Sequence, residues 1–354
     1  MDFRLGGEAP SDETAAILAR IATAPRYEAS ILGNRELFGR LCTAAMLPAM
    51  EEAFVTWRPE LVVREPCEYS SAVMAERHRV GHVQVAISLA GVEAGSIEIA
   101  VPALEQHLAD PAARLLATPY LTRFPAMFDP SPFTLTFRYR ESPIGRRSPL
   151  PDWWTGATDP LVYVTFGTVT GHTPVGHDVF RTALDAVAGL RCRVLLTVGH
   201  SADIEGLVPL PTNVHVEKWV PQDDVFAEAR LVVCHGGSGT TLGALAAGLP
   251  LVVVPLFADQ FANGMLVAEA GAGVLVPPLD MGVGNAVPGG RPVIRLSDAP
   301  RIRAAISEVL GDPSYGRAAT RMGREIRSAP TAGDLVENLI SDEGLFSRQR
   351  QAGP

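Results

Sequence analysis

The C-terminal half of the chain alternates short apolar runs with amphipathic stretches. The apolar runs are LVYVTF (161–166), RVLLTV (193–198), VHVEKW (214–219), LVVC (231–234) and LVVVP (251–255). Helical spacing of apolar residues predicts helices over 176–189, from Ser238 onward, and over 259–270, 298–310 and 314–328. Continuous apolar strands that alternate with helices are typical of a parallel sheet covered on both faces. The pattern therefore predicts a doubly wound α/β domain.

The N-terminal half shows a weaker form of the same alternation. Apolar positions over 35–57 predict a helix that leads into the short strand of RPELVVRE, which ends at Glu65. A helix over 69–79 and a strand over 82–88 (HVQVAIS) continue the pattern of a parallel sheet. The segment over 141–160 contains four prolines and has no periodicity, which is typical of a linker.

Length and composition support two globular domains. A chain of 354 residues is longer than the usual single domain of about 100–150 residues. Hydrophobic residues make up 47% of the chain and charged residues 19%, which is enough apolar material for large cores. We therefore predict an N-terminal domain over 1–145, a linker over 146–160 and a C-terminal domain over 161–354.

Charge and cysteine content restrict the partners and the compartment. The net charge of −9 argues against binding to nucleic acid or to an anionic membrane, because both require a basic surface. There is no run of about 18 apolar residues, so we expect no membrane span. The four cysteines are scattered without CxxC spacing, as in reduced cytoplasmic proteins. We therefore expect a cytoplasmic protein.

A glycine-rich string, HGGSGTT (235–241), follows the strand LVVC and leads into a helix. Its glycines let backbone N–H groups approach an anion, and its hydroxyls lie at the positive end of the helix. The string lacks the GKS or GKT of a P-loop and the spacing of GxGxxG, so it favours neither an ATPase nor a dehydrogenase. We predict a phosphate site here; the alternative is a glycine-rich turn with an ordinary serine cap.

Two further loops at the carboxyl ends of predicted strands carry polar or aromatic side chains. Trp219 ends VHVEKW and is followed by Val220, Pro221 and Gln222, which leaves a flat ring available to stack a nucleobase; the alternative is a core tryptophan. Asp259 and Gln260 follow LVVVP, and an acid beside an amide can bind vicinal sugar hydroxyls; the alternative is that Asp259 caps its helix.

Together, the motifs VYVTFGT, WVPQ, HGGSGTT and PLFADQFANG resemble those of the inverting glycosyltransferases of family one, in particular the bacterial branch that modifies macrolides and enediynes. The resemblance spans most of residues 55–340. It implies a GT-B fold, with two Rossmann-like domains facing a cleft. It also implies a nucleotide-sugar as co-substrate, with no other cofactor. The residues that it implies for donor binding are Thr168, Trp219, Val220, Gln222, His235, Gly237, Ser238, Gly239, Thr240, Asp259 and Gln260.

The catalytic residues are less well marked. The chain has no Asp-x-Asp triplet, so we expect no metal site; the helix that begins at Ser238, together with His235, would stabilise the leaving diphosphate. In the resembling family the base is a histidine after the first N-terminal strand, supported by an acid. Glu65 is our candidate for that acid; the alternative is a solvated strand-end acid or a salt bridge with Arg64.

The family's opening strand and its histidine-containing loop have no counterpart in residues 1–34, so we expect an incomplete N-terminal domain and a start assigned too late. The resulting prediction is metal-independent, inverting transfer of a sugar from a dTDP- or UDP-sugar to a hydroxyl of a small lipophilic acceptor. Two alternatives remain: a nucleotide-sugar-binding pseudoenzyme or partner subunit, and a cell-wall glycosyltransferase with a lipid-linked acceptor. A homodimer is left open.

Overall fold

The structure is a computed structural model that describes residue 3 and residues 5–142, 147–168, 170–172, 176–279 and 294–340. The chain divides into two compact units. Unit 1 contains the described residues up to Glu141 together with those that follow Ser328, and unit 2 contains the described residues between them. Within the described ranges, no helix is both long and apolar enough to span a membrane.

Unit 1 is built on a short parallel sheet. Its strands are β1 (Leu61–Arg64), β2 (Gly81–Val85), β3 (Tyr120–Thr122) and β4 (Thr136–Arg138), in that order across the sheet. Its helices are α1 (Ser11–Thr23), α2 (Arg26–Ile31), α3 (Thr43–Trp57), α4 (Ser70–His78), α5 (Ala90–Leu104), α6 (Pro111–Ala117) and, near the C-terminus, α13 (Ala332–Ile340). A π-helical segment, Leu32–Cys42, joins α2 to α3 and packs against α5.

Unit 2 contains a larger parallel sheet. Its strands are β5 (Leu161–Thr165), β6 (Arg193–Thr197), β7 (Val214–Glu217), β8 (Ala229–Cys234), β9 (Leu251–Val253) and β10 (Gly273–Leu275). Its helices are α7 (Gly176–Val187), α8 (Gln222–Glu228), α9 (Ser238–Ala246), α10 (Gln260–Glu269), α11 (Ala299–Gly311) and α12 (Pro313–Ser328).

The strand order in unit 2 is β10-β9-β8-β5-β6-β7, with every pair parallel. All five residues of β5 are buried, because helices cover both faces of the sheet. Alternate β5 residues such as Val162 and Val164 share one core cluster with α7 and α11, and α9 packs against α12. This is the doubly wound arrangement that the apolar runs predict, and the order reverses between β5 and β8.

The segment before β5 packs onto unit 2. The backbone N–H of Ser148 donates to the Asp224 carboxylate of α8 at 2.8 Å. The ring of Trp153 stacks on His215 of β7, with centroids 4.5 Å apart, and Trp154 Nε1 donates to the carbonyl of Asn213 at 3.3 Å. These contacts fix the described part of the predicted linker to the two elements that flank WVPQ.

The predicted elements agree with the structure wherever the periodicity is strong. The strands and helices predicted between 161 and 328 are present, with bounds that differ by a few residues. The pattern missed α1 (Ser11–Thr23), although it is a 13-residue helix with charged side chains. Two other missed elements have a simple physical reason. Strand β3 has three residues, and α5 (AGVEAGSIEIAVPAL) is apolar around most of its surface, so it shows no clear helical period.

Candidate donor-binding site

The carboxyl ends of β5 and β8 lie side by side at the point where the strand order reverses. In open α/β sheets this is where ligands bind, because the loops on either side diverge and leave a crevice. Gly167 follows β5 with φ +77°, and His235 follows β8. A Cβ added to Gly167 would lie 2.9 Å from Nε2 of His235, so glycine is required for this close approach.

The glycine-rich string forms the N-terminus of α9, as predicted. Gly237 is the N-cap residue, with extended backbone angles, and the N–H of Thr241 donates to its carbonyl at 3.0 Å. The N–H groups of Ser238, Gly239 and Thr240 precede this first helical bond and therefore have no acceptor within the helix. Three such donors at the positive end of a helix are an arrangement suited to an anion.

His235 lies against this loop as a neutral side chain. A Cβ on Gly237 would lie 2.5 Å from Nε2 of His235, so the ring fits between the two glycine backbones at 167 and 237. Burial lowers the pKa of His235 to about 4, against the opposing effect of the Asp259 carboxylate. Its buried Nδ1 has no hydrogen-bond partner among the described residues. At neutral pH His235 therefore carries no positive charge and can act only as a neutral hydrogen-bonding group.

A hydrogen-bond network connects the glycine-rich string 235–241 (the phosphate loop) to Asp259, the acid that follows β9. Ser238 Oγ donates to Asp259 Oδ2 at 3.1 Å. Asn263 Nδ2 lies 3.1 Å from the same carboxylate oxygen and 2.8 Å from the carbonyl of Gly236. Asn263 is fully buried, so it holds the glycine turn and Asp259 at a fixed separation.

Asp259 occupies the N-cap position of α10, but its side chain accepts no capping hydrogen bond there. The expectation that it merely caps the helix is therefore not supported, because its carboxylate points to Ser238 and Asn263 instead. The preceding residue, Ala258, has φ +54°, a left-handed conformation that is strained for alanine. This turn directs Asp259 towards the phosphate loop.

Gln260 is buried, and its Oε1 shapes the loop that carries it. The backbone N–H groups of Leu256 and Phe257 donate to this oxygen at 2.8 and 2.9 Å. Since the amide oxygen is used internally, Nε2 is the group of Gln260 that can reach a ligand.

The loop after β7 provides an exposed aromatic ring. Trp219 is 55% exposed, which excludes a core position and leaves its face open to a base. Val220 is half-buried beside it. Gln222 begins α8, and its Nε2 donates to Thr240 Oγ1 at 3.2 Å and to Tyr163 Oη at 3.4 Å. Gln222 therefore connects this loop to the phosphate loop. Thr168, after β5, is exposed on the same edge of the sheet.

In unit 1, Glu65 follows β1 and is half-buried. Its Oε1 accepts the backbone N–H of Cys67 at 2.9 Å. The predicted alternative of a salt bridge with Arg64 is absent among the described ion pairs; the guanidinium of Arg64 binds backbone carbonyls and His82 instead. No histidine is a hydrogen-bond partner of Glu65 in the described part of the chain.

A second acid of unit 1 lies deeper at the same edge of the sheet. Glu93 of α5 is buried, and its carboxylate accepts the N–H groups of Ile87 and Ser88 at 2.8 and 2.7 Å. The hydroxyl of Tyr120 donates to it at 2.5 Å. Burial raises the pKa of Glu93 to about 7.

Comparison with known proteins agrees with this geometry. Residues 181–341 match the family described as erythromycin biosynthesis protein CIII-like, C-terminal domain. L-demethylnoviosyl transferase of Streptomyces niveus is 28% identical over 321 residues, which cover 88% of this chain and 79% of that protein. The calicheamicin glycosyltransferase CalG4 superposes with a TM-score of 0.62 at 25% identity, over 83% of this chain and 77% of its own.

The chain is a glycosyltransferase of the GT-B fold. The spinosyn rhamnosyltransferase SpnG, whose structures include complexes with thymidine diphosphate and with spinosyn aglycone, shares this fold with a TM-score of 0.69 in both complexes. Its complex with thymidine diphosphate is 20% identical and covers 93% of this chain and 83% of its own. The predicted fold and enzyme class are thus confirmed.

In this glycosyltransferase the structure joins Ser238, Asp259 and the start of α10 into one hydrogen-bonded unit, and it joins Gln222 to Thr240. Trp219 lies further along the same sheet edge, at the end of the outermost strand β7. Sequence reasoning assigned no role to Asn263 or to Tyr163. The position of Asn263 one helical turn after Asp259 is a signal that could have found it. No comparable signal marks Tyr163, which lies inside an apolar strand.

Proposed function

We propose that the protein transfers a sugar from a dTDP- or UDP-sugar to a hydroxyl of a small lipophilic acceptor, with inversion at the anomeric carbon and without a metal ion. The observation that carries the proposal is the Ser238–Asp259 hydrogen bond. It places a group suited to sugar hydroxyls beside a helix N-terminus suited to a diphosphate, as a nucleotide-sugar requires.

In the proposed reaction the acceptor oxygen attacks the anomeric carbon from the face opposite the diphosphate. The bond between that carbon and the phosphate oxygen breaks, and the nucleoside diphosphate leaves with the electron pair. The N–H groups of Ser238, Gly239 and Thr240 at the start of α9 stabilise the charge that develops on the leaving group. His235 adds a hydrogen bond as a neutral imidazole, and the proton of the acceptor passes to a base.

We propose Glu65 as the acid that assists proton removal at the acceptor. Its half-buried carboxylate follows β1, and Oε1 retains lone-pair capacity beyond the bond from Cys67. One observation favours a second candidate, a nucleotide-sugar-binding protein without transfer activity: within the described residues no histidine is hydrogen-bonded to Glu65, so Glu65 has no histidine base to support.

Metal independence is part of the proposal. The described residues contain no group of three or more His, Cys, Asp or Glu side chains arranged to hold a metal, and the helix N-terminus offers a substitute for the charge of a cation. A cytoplasmic location is likewise proposed, with support from the four cysteines, which are all free thiols.

Calorimetry with dTDP, UDP and their sugars, combined with a product assay on a panel of lipophilic alcohols, tests the proposal. We expect micromolar nucleotide binding and turnover that persists in EDTA. Binding without turnover on any acceptor would favour the non-catalytic candidate, and turnover only with a lipid-linked acceptor would change the acceptor class. Trp219→Ala should weaken nucleotide binding about 5- to 150-fold, since stacking on a base contributes about 1–3 kcal/mol.

A further inference from the structure

A second aromatic ring stands beside Trp219 at the carboxyl edge of the unit 2 sheet. The ring centroids of His200 and Trp219 are 6.4 Å apart, and their planes differ by only 18°. Both side chains are exposed. His200 is not part of any motif in the sequence, and the donor-binding residues described above do not include it.

The backbone places the two rings next to each other. The parallel pairing of β6 with β7 continues past the strand ends, where the N–H of Val198 donates to the carbonyl of Glu217 at 3.1 Å and that of Gly199 to Lys218 at 2.9 Å. His200 and Trp219 are the next residues on each chain segment. Gly199 has φ +86°, so it turns the chain directly before His200.

The two rings offer nearly parallel faces to one flat ligand ring. A base held between two aromatic faces needs planes about 7 Å apart, which is twice the optimal carbon–carbon contact of about 3.5 Å. The two rings are nearly parallel, with centroids 6.4 Å apart. Both side chains are exposed, so rotation about their side-chain bonds can bring the ring planes to the separation that a base needs.

We propose that His200 forms the second face of the nucleobase site, so that the base of the donor lies between His200 and Trp219. This inference rests on the proposed function, because it requires a nucleotide donor. The class of ligand is a pyrimidine nucleoside diphosphate, in which the base stacks on both rings and the diphosphate extends towards α9.

Titration calorimetry on the full chain with dTDP, UDP and pyrophosphate tests the proposal. His200→Ala should weaken binding of dTDP and UDP about five- to tenfold, at the lower end of the range for one stacking contact. Pyrophosphate has no base, so its affinity should be unchanged. His200→Phe restores an aromatic face and should recover the affinity of the wild type. If His200 had a merely structural role, its removal would change the affinities for nucleotide and for pyrophosphate alike.

A double mutant distinguishes stacking on the base from support of Trp219. If His200 contacts the base, His200→Ala weakens dTDP binding further in a Trp219→Ala background. Three results would overturn the inference. The first is that His200→Ala binds dTDP with wild-type affinity, and the second is that its affinity for pyrophosphate falls as much as its affinity for dTDP. The third is that His200→Ala causes no further loss of dTDP affinity in the Trp219→Ala background. In those cases wild-type binding of dTDP leaves the proposed function intact, whereas a wild type that binds no nucleotide overturns both.

Discussion

The hydroxyl of Ser238 donates a hydrogen bond to the carboxylate of Asp259 across 3.1 Å, and this bond joins loops that follow two different strands. Ser238 begins α9 after β8, whereas Asp259 precedes α10 after β9. Because β8 and β9 are adjacent and parallel, their carboxyl ends meet at one edge of the sheet. The bond fixes the acid close to the place where a diphosphate would bind.

Asp259→Ala should impair use of the donor sugar more than binding of free nucleoside diphosphate. Hydrogen bonds to a charged group contribute about 1.5–3 kcal/mol, so we expect kcat/KM for the donor to fall about 10- to 150-fold. Affinity for dTDP, measured by calorimetry, should change by no more than about threefold, within the ~0.5 kcal/mol expected of a peripheral change. Glu269→Ala, an exposed acid at the far end of α10, is the control. Equal losses for sugar and free nucleotide would make Asp259 structural.

Asn263→Ala removes the amide that connects Asp259 to the Gly236 turn. We expect a loss of stability of about 1–3 kcal/mol, because buried hydrogen-bonding groups lose their partner, and also weaker dTDP binding. Asn213→Ala is a matched control, since Asn213 Nδ2 donates to the carbonyls of Val187 and Cys192 at 3.1 and 3.2 Å, away from the glycine-rich loop. Urea unfolding should show similar losses for both variants, while calorimetry should show weaker dTDP binding only for Asn263→Ala. Unimpaired binding by Asn263→Ala would refute its positioning role.

Gly237→Ala and Gly239→Ala should have opposite effects although they lie two positions apart. A Cβ at Gly237 meets the His235 ring at 2.5 Å, and such overpacking costs about 1–3 kcal/mol. A Cβ at Gly239 meets no protein atom within 4 Å. The Tm of Gly239→Ala should therefore stay the same or rise, because alanine favours a helix over glycine by up to about 1 kcal/mol. Equal destabilisation of both variants would contradict the packing of His235 against Gly237.

The neutral state of His235 predicts a pH dependence of stability. Its pKa is about 4 in the folded chain, against 6.5 for an ordinary histidine side chain, so the unfolded chain binds the proton first as the pH falls. The contribution to stability is complete above pH 6.5 and is lost as the pH falls to 4. Urea unfolding between these values should show a shallower pH slope for His235→Gln than for the wild type. An unchanged slope would mean that His235 titrates normally.

The buried acid Glu93 predicts the opposite pH dependence, a loss of stability as the pH rises. Its pKa is raised from 4.5 to about 7 by burial, so its contribution is complete below pH 4.5 and is lost as the pH rises through 7. Glu93→Gln keeps an oxygen for the N–H groups of Ile87 and Ser88 but cannot ionise. The fall in Tm of the wild type between about pH 5 and about pH 8 should shrink by about half or more in this variant. A larger fall in the variant would show that the charged form is the stable one.

The local pattern of apolar and polar residues was enough to predict most of the helices and strands of unit 2. Runs such as LVYVTF are almost continuously apolar because β5 is covered on both faces. Strands of a buried parallel sheet generally show this sequence pattern. The N-terminus of α9 was also visible, since only glycines and small hydroxyl residues suit a backbone that approaches an anion. In unit 1 the strands are three to five residues long, so their periodicity is weak and β3 and β4 were missed.

The sequence by itself thus determined the α/β class, the position of the glycine-rich turn and the acid at Asp259, because each depends on residues within one turn or one strand. Only the tertiary structure decided which loops meet. The Ser238–Asp259 bond spans 21 positions, and the His200 ring beside Trp219 depends on the order of β6 and β7 in the sheet. The neutral charge of His235 likewise depends on burial between two glycines that are 70 residues apart, Gly167 and Gly237. Strand order and desolvation are properties of the packed chain, and no local pattern encodes them.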